Sequence, residues 1–152
     1  MTSYIGIDLG TTFSAVAYID ETGRSQIIKN SDRKVSPEGN IMPSCVAIYE
    51  DKFIVGEQAR KSLEIQDNTV ARFKREMGTS KIYNIKGKKV SPLDLSALVL
   101  TELKKYAKKE IGDISEVVVT VPANFNNKAR DDTMSAAKKA GLNVKYIINE
   151  PT

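Results

Sequence analysis

An acid, a glycine and two hydroxyls are gathered in Asp8-Leu9-Gly10-Thr11-Thr12, at the end of an apolar run that starts at Ile5. Such a set suits a phosphate and a hydrated Mg²⁺. The backbone N–H groups of a glycine turn can point at phosphate oxygens, and glycine lets the anion come close. Asp8 cannot bind phosphate itself, so its carboxylate would act through the metal or the metal's waters. A strand ending in Asp and Gly is also what a tight hairpin contains. Taken alone, the stretch Ile5–Thr12 leaves turn and phosphate corner equally open.

Composition narrows the chemistry. The chain has no histidine, which excludes a Ser-His-Asp triad, a Cys-His pair and an ordinary zinc site. Its one cysteine, Cys45, permits no intrachain disulfide and fits a reducing compartment. Nothing near Cys45 activates it, so a small core residue is expected there. The 152 residues, 41% hydrophobic and 28% charged, suffice for one globular domain with a core of its own. No apolar run is long enough to span a membrane, and the N-terminus enters a strand directly, so neither a signal peptide nor a membrane anchor is expected, and the expected location is cytoplasmic. The net charge is +4, but the lysines are spread along helices and loops and aromatics are 7% of the chain. A solvated basic surface that helps to gather an anionic nucleotide is expected, with no nucleic-acid partner.

The elements that must position the corner follow from patterning. Ile5–Leu9, Phe13–Ile19 and Ser25–Ile28 predict three strands in an antiparallel meander, with a turn at Asp20-Glu21-Thr22-Gly23. Asn30–Met42 is polar, broken by Pro37 and Gly39, and predicts a loop and a boundary. Strands are expected at Ser44–Tyr49 and Phe53–Val55. Helices are expected at Glu57–Ile65 and Val70–Met77, and a hairpin turning at Gly87 over Lys81–Val90. Ser91-Pro92-Leu93-Asp94 has the form of a capping box with proline at the first helical position. Leu95, Leu98, Val99, Leu103, Tyr106 and Ala107 then fall on one face of a helix that stops at Gly112. A buried strand at Glu116–Val121, a helix capped by Asn126 or Asn127 and ended by Gly141, and a strand at Val144–Ile148 complete the chain.

That order predicts an α/β fold with a mixed sheet. Residues 1–39 and 91–152 form the main sheet subdomain, and residues 40–90 form a small α+β insert. The late strands run parallel to the first, which brings their carboxyl ends to one edge, where such sheets bind ligands. Asp8, Pro122 and Glu150 all fall at that edge, so two carboxylates meet there.

Four segments now carry a resemblance. Gly6-Ile7-Asp8-Leu9-Gly10-Thr11-Thr12 resembles the first phosphate motif of the actin-like ATPases, and in detail that of the DnaK-type heat-shock chaperones. Val121-Pro122-Ala123-Asn124-Phe125-Asn126 is similar to their V-P-A-x-F-N segment. Ala140-Gly141-Leu142 followed by Ile148-Asn149-Glu150-Pro151-Thr152 is similar to A-G-L…I-N-E-P-T. Lys74-Arg75 with Met77-Gly78 is similar to the K-R-x-x-G around their catalytic lysine. The four occur in the family's order and span nearly the whole chain. The implied fold is an actin-like, ribonuclease H-like ATPase lobe.

The resemblance implies roles residue by residue. Gly10, Thr11 and Thr12 would hold the β- and γ-phosphates of ATP or ADP. Asp8 and Glu150 would reach Mg²⁺ through its waters, with K⁺ as a further ion. Lys74 would reach the γ-phosphate and orient the attacking water. Pro122 and Arg130 would relay the nucleotide state. The implied partners are unfolded polypeptides, a J-domain co-chaperone and a nucleotide exchange factor.

The chain also departs from the family pattern. Phe13 replaces a polar residue or Tyr, Ala71-Arg72-Phe73 precedes Lys74 in place of F-D-A, and the stretch from Met77 to Ser91 is short. These resemble a divergent, short-lobed bacterial branch. No second glycine-rich phosphate loop and no substrate-binding domain occur in the 152 residues. The expectation is therefore one lobe of the nucleotide-binding domain, monomeric and inactive by itself. Two other readings stay open on the residues: a non-catalytic actin-like interaction module, and a sugar kinase or filament relative. Lys74-Arg75 and Val121–Phe125 favour the chaperone branch over the latter.

Overall fold

A computed structural model describes residues 4–28, 41–62 and 68–150. The chain opens with β1 (Tyr4–Leu9), β2 (Phe13–Ile19) and β3 (Ser25–Ile27), the expected meander. Most of the Asn30–Met42 stretch lies outside the described residues. Met42 itself does not sit in a loop. With Pro43 it forms β4 (Met42–Pro43), which pairs antiparallel with Phe13 and Ser14. Pro43 has no N–H to give, and the pairing stays two residues long at the sheet margin.

A second, three-stranded sheet follows, built from β5 (Cys45–Tyr49), β6 (Lys52–Val55) and β7 (Thr69–Ala71). Between them lies α1 (Glu57–Ser62); residues 63–65 of the expected helix lie outside the described residues. The helix expected over Val70–Met77 is replaced by two shorter elements. Val70 pairs with Val46 in β7, Arg72 turns the chain with φ 60°, and Phe73–Glu76 form one 3-10 turn. β-branched Val70 gains more by joining a strand than by starting a helix too short to be stable. A hairpin of β8 (Tyr83–Ile85) and β9 (Lys88–Val90) comes next. Its central residues, Lys86 and Gly87, both have positive φ, the geometry that matches the twist of paired strands.

The capping box forms as expected. Ser91 Oγ accepts from Asp94 N–H at 3.0 Å and Asp94 Oδ2 accepts from Ser91 N–H at 3.0 Å. It starts α2 (Pro92–Ile111), which buries Leu95, Val99, Leu103, Tyr106 and Ala107, while Leu98 is half-buried at the rim. After β10 (Glu116–Val121), Asn126 caps α3 (Asn127–Lys139), with its Oδ1 accepting from Ala129 N–H at 2.8 Å. The helix closes when Gly141 N–H donates to Lys138 O and Leu142 N–H to Ala137 O, both at 3.0 Å. This paired closure uses up two terminal carbonyls and buries Leu142. The chain then runs into β11 (Val144–Asn149).

The main sheet has the order β11-β10-β1-β2-β3, with β4 also on β2. β10 is parallel to both β1 and β11, so three carboxyl ends share one edge. One face carries Ile5, Ile7, Leu9, Val16, Val117 and Val119 into the core beneath the helices. The other leaves Tyr4, Ile19, Ile27, Tyr146 and Ile148 exposed. α2 packs on both sheets, and Val46, Ile48, Phe73 and Ile85 of the smaller part join the same core as Leu100 and Leu103. Cys45 is buried on the other side of β5, against Ala47 and Ala59.

Candidate nucleotide site

The corner between β1 and β2 is built around its glycine. A Cβ on Gly10 would lie 2.0 Å from the Phe13 carbonyl oxygen, so any other residue would force the turn open. Buried Leu9 anchors the strand end, and Asp8, on the opposite face, is exposed. Asp8 lies level with Thr120 of β10, whose Oγ1 donates to Asp8 Oδ1 at 3.2 Å. Thr11 is half-buried and Thr12 exposed.

Lys74 reaches the same edge from the 3-10 turn. Phe73 and Met77, both buried, pin the turn to the core, and Gly78 N–H donates to Asp132 Oδ2 of α3 at 3.0 Å. The Lys74 side chain is 5% exposed, and its Nζ lies 2.7 Å from Glu150 Oε1. The Phe125 ring lies 5.8 Å from the same nitrogen, close enough for the ring face to favour the cation. Glu150 is set by its own N–H, which donates to Val121 O at 2.7 Å and extends the β10–β11 ladder by one step. A buried ammonium needs such a partner, because desolvation disfavours the charge.

Pro122 ends β10, and its carbonyl accepts from Phe125 N–H at 3.1 Å. Arg130 Nε donates to Phe125 O at 3.3 Å and Arg130 Nη2 donates to Asn149 Oδ1 at 2.7 Å. The guanidinium therefore ties the Pro122–Phe125 turn to the end of β11.

A cleft of about 440 Å³ lies between these parts, walled by Thr11, Lys74, Pro122 and Phe125, among others. The structure thus brings Thr11, Lys74 and Pro122 together, with Glu150 tied in through Lys74. Asp8 and Thr12 stand on the exposed side of the corner, outside the cleft wall. Among the described residues no three carboxylate, thiol or imidazole groups converge. The carboxylates present at this sheet edge, exposed Asp8 and part-exposed Glu150, are of the kind that a Mg²⁺ keeping most of its waters takes, alongside phosphate oxygens. Patterning alone did not single out Thr120 or Asp132. Thr120 is the one polar residue among the valines near the end of β10, a signal readable once its strand is aligned with Asp8; Asp132 has no comparable mark.

A family model described as Hsp70 protein matches residues 4–83 and 80–152. The chain belongs to the Hsp70 family. It is 47% identical over 150 residues to the chaperone protein DnaK of Mycoplasma mobile, and 44% identical over 149 residues to that of Mycoplasmopsis agalactiae. Each match covers 97% of this chain and 24% of the relative, so the chain spans about a quarter of their length. The mixed sheet with its parallel β1, β10 and β11 is the actin-like ATPase lobe of Hsp70 proteins.

Proposed function

We propose that this Hsp70-family lobe forms one wall of an ATP site, and that the complete protein is an ATPase chaperone that uses turnover to control its hold on unfolded polypeptides. The observation that carries this reading is Lys74, a buried ammonium that is held by Glu150 and lines a cleft together with Thr11. Lys74 places a positive charge where the transferred phosphoryl group develops negative charge, and its donors can orient a water. Gly10, Thr11 and Thr12 offer backbone N–H and hydroxyl donors to the β- and γ-phosphates. Asp8 and Glu150 accept from metal-bound waters. Mg²⁺, when bound, neutralises phosphate charge. Pro122 and Arg130 respond to a change at Glu150 because Arg130 grips Asn149, its chain neighbour.

The lobe divides into a main-sheet part (1–39 and 91–152) and a smaller part (40–90), with Met42–Pro43 paired to the main sheet. K⁺ as a second ion, a J-domain co-chaperone, a nucleotide exchange factor and a cytoplasmic location belong to the same proposal. Among the described residues no helix is long and apolar enough to cross a membrane.

The test is Lys74→Ala in the full-length protein. Mg-ATP affinity is expected to stay within several-fold, while single-turnover hydrolysis falls by about 10²–10³-fold. Unchanged hydrolysis would remove Lys74 from the mechanism.

A further inference from the structure

We infer that Ser44, assigned no role so far, is a positioning residue that aims the Thr11 amide at phosphate; this rests on the ATP-site reading above. Ser44 is 1% exposed and stands where the chain leaves β4 of the main sheet for β5 of the smaller one. Its N–H donates to Thr12 O at 2.9 Å, and its Oγ donates to Gly10 O at 2.9 Å. A serine hydroxyl has one proton. With that proton on Gly10 O, the 2.8 Å contact to Ser14 Oγ must have Ser14 as donor. Ser14 is equally buried. The two hydroxyls form a directed chain, Ser14 to Ser44 to the Gly10 carbonyl.

The carbonyl at the end of that chain matters because of peptide planarity. Gly10 C=O and Thr11 N–H belong to one trans peptide unit and point in opposite directions. Holding the carbonyl against Ser44 therefore turns the Thr11 N–H away from it, and because Thr11 lines the cleft, this is the amide that a phosphate bound there would meet. The second bond, from Ser44 N–H to Thr12 O, pins the far side of the same corner to the same residue. Gly10 cannot be replaced without opening this turn. Ser44 thus supplies from thirty-four residues away the anchoring that the glycine turn lacks in itself. It also makes the corner sensitive to the smaller sheet, because Cys45 starts β5 directly after it.

The experiment compares Mg-ATP with adenosine, which shares the base and sugar but has no phosphates, on the full-length protein. Ser44→Ala leaves the Gly10 carbonyl without its donor. The ratio of Mg-ATP affinity to adenosine affinity should fall about tenfold, with adenosine binding itself unchanged. Ser44→Cys, whose thiol donates weakly, should lose less and covers the case in which Ser44→Ala does not fold. Ser14→Ala leaves the Ser44–Gly10 bond in place and should also lose less than Ser44→Ala. An equal loss for both ligands would reduce Ser44 to a structural residue and overturn the inference. So would an undiminished ratio in both Ser44 variants while the unsubstituted protein prefers Mg-ATP; that result overturns this inference alone. If the unsubstituted protein shows no preference for Mg-ATP over adenosine, the ATP-site reading falls and this one with it.

Discussion

Lys74 and Glu150, seventy-six residues apart, meet at 2.7 Å, but they are unequally buried: the lysine side chain is 5% exposed and the glutamate 34%. Removing either partner therefore has different consequences. Glu150→Gln leaves a desolvated ammonium without its counter-charge and should destabilise by roughly 1–3 kcal/mol, less than for a fully buried pair because the Glu150 side chain is itself 34% exposed and water screens the pair. Lys74→Met removes the buried charge and should change stability by less than about 1 kcal/mol. Urea midpoints of the two variants and of the double variant decide it. Equal losses would show that burial does not set the asymmetry.

Gly78 and Gly87 share φ +82°, yet only Gly78 is crowded: a Cβ there would lie 2.8 Å from Ala129 N, whereas Gly87 faces open space. Gly87→Ala should cost about 1 kcal/mol from backbone strain. Gly78→Ala should cost about 1–3 kcal/mol more, because α3 and the 3-10 turn must separate. It should also slow ATP turnover in the full-length protein, since the same turn carries Lys74. Thermal melts of the two variants provide the comparison, and equal losses would mean that the contact with α3 yields freely.

Asp94 gives stability a pH signature. Partial burial pushes its carboxyl up, but hydrogen bonds from Lys139 and Ser91 outweigh that and hold it below its ordinary 3.8. A carboxylate with a lowered folded pKa stabilises the fold above its unfolded pKa, and this contribution fades as pH falls through the folded value. Asp94→Asn should therefore cost about 1 kcal/mol at neutral pH, the usual scale for a helix cap. The gap to the unsubstituted protein should close below about pH 4. Melts at pH 7, 5 and 3 measure it; a gap independent of pH would show that the charge is not what matters.

Much of this arrangement was legible in the sequence, and for physical reasons. The strand-turn-strand around Gly10 and the helix after Ser91 are each specified locally, by alternation, by turn chemistry and by a complete capping box. Parallel pairing followed from the order of elements, and it carried Asp8 and Glu150 to one edge. Val70–Met77 was not legible as it folds. A three-residue strand and one 3-10 turn are shorter than any period that patterning can detect, and the turn at Arg72 depends on a left-handed residue that is not glycine. Met42–Pro43 failed for the same reason of length. Within the site, the family motif indicated Lys74, but its burial ran against the normal exposure of lysine. The Asp132 and Ser44 contacts are set by tertiary packing across 54 and 34 residues, and local sequence does not record such distances.

Cys45 should be chemically silent in the folded protein. Burial pushes its thiol up to about 11, against a smaller opposing pull from Arg60. The thiolate is the reactive form, so at pH 8 a thiol reagent such as dithionitrobenzoate should leave the native chain almost untouched and label it promptly in denaturant. Rapid labelling of the native chain would show that β5 opens towards α1.

A silent native thiol is also an opportunity for spectroscopy. Lys89 is exposed on the β8–β9 hairpin, at a distance in sequence from every residue of the proposed ATP site. With Lys89→Cys, a maleimide dye would meet one accessible thiol within these 152 residues, leaving Cys45 in place in the core. A single fluorophore on that hairpin would report how the smaller part of the lobe moves when nucleotide arrives.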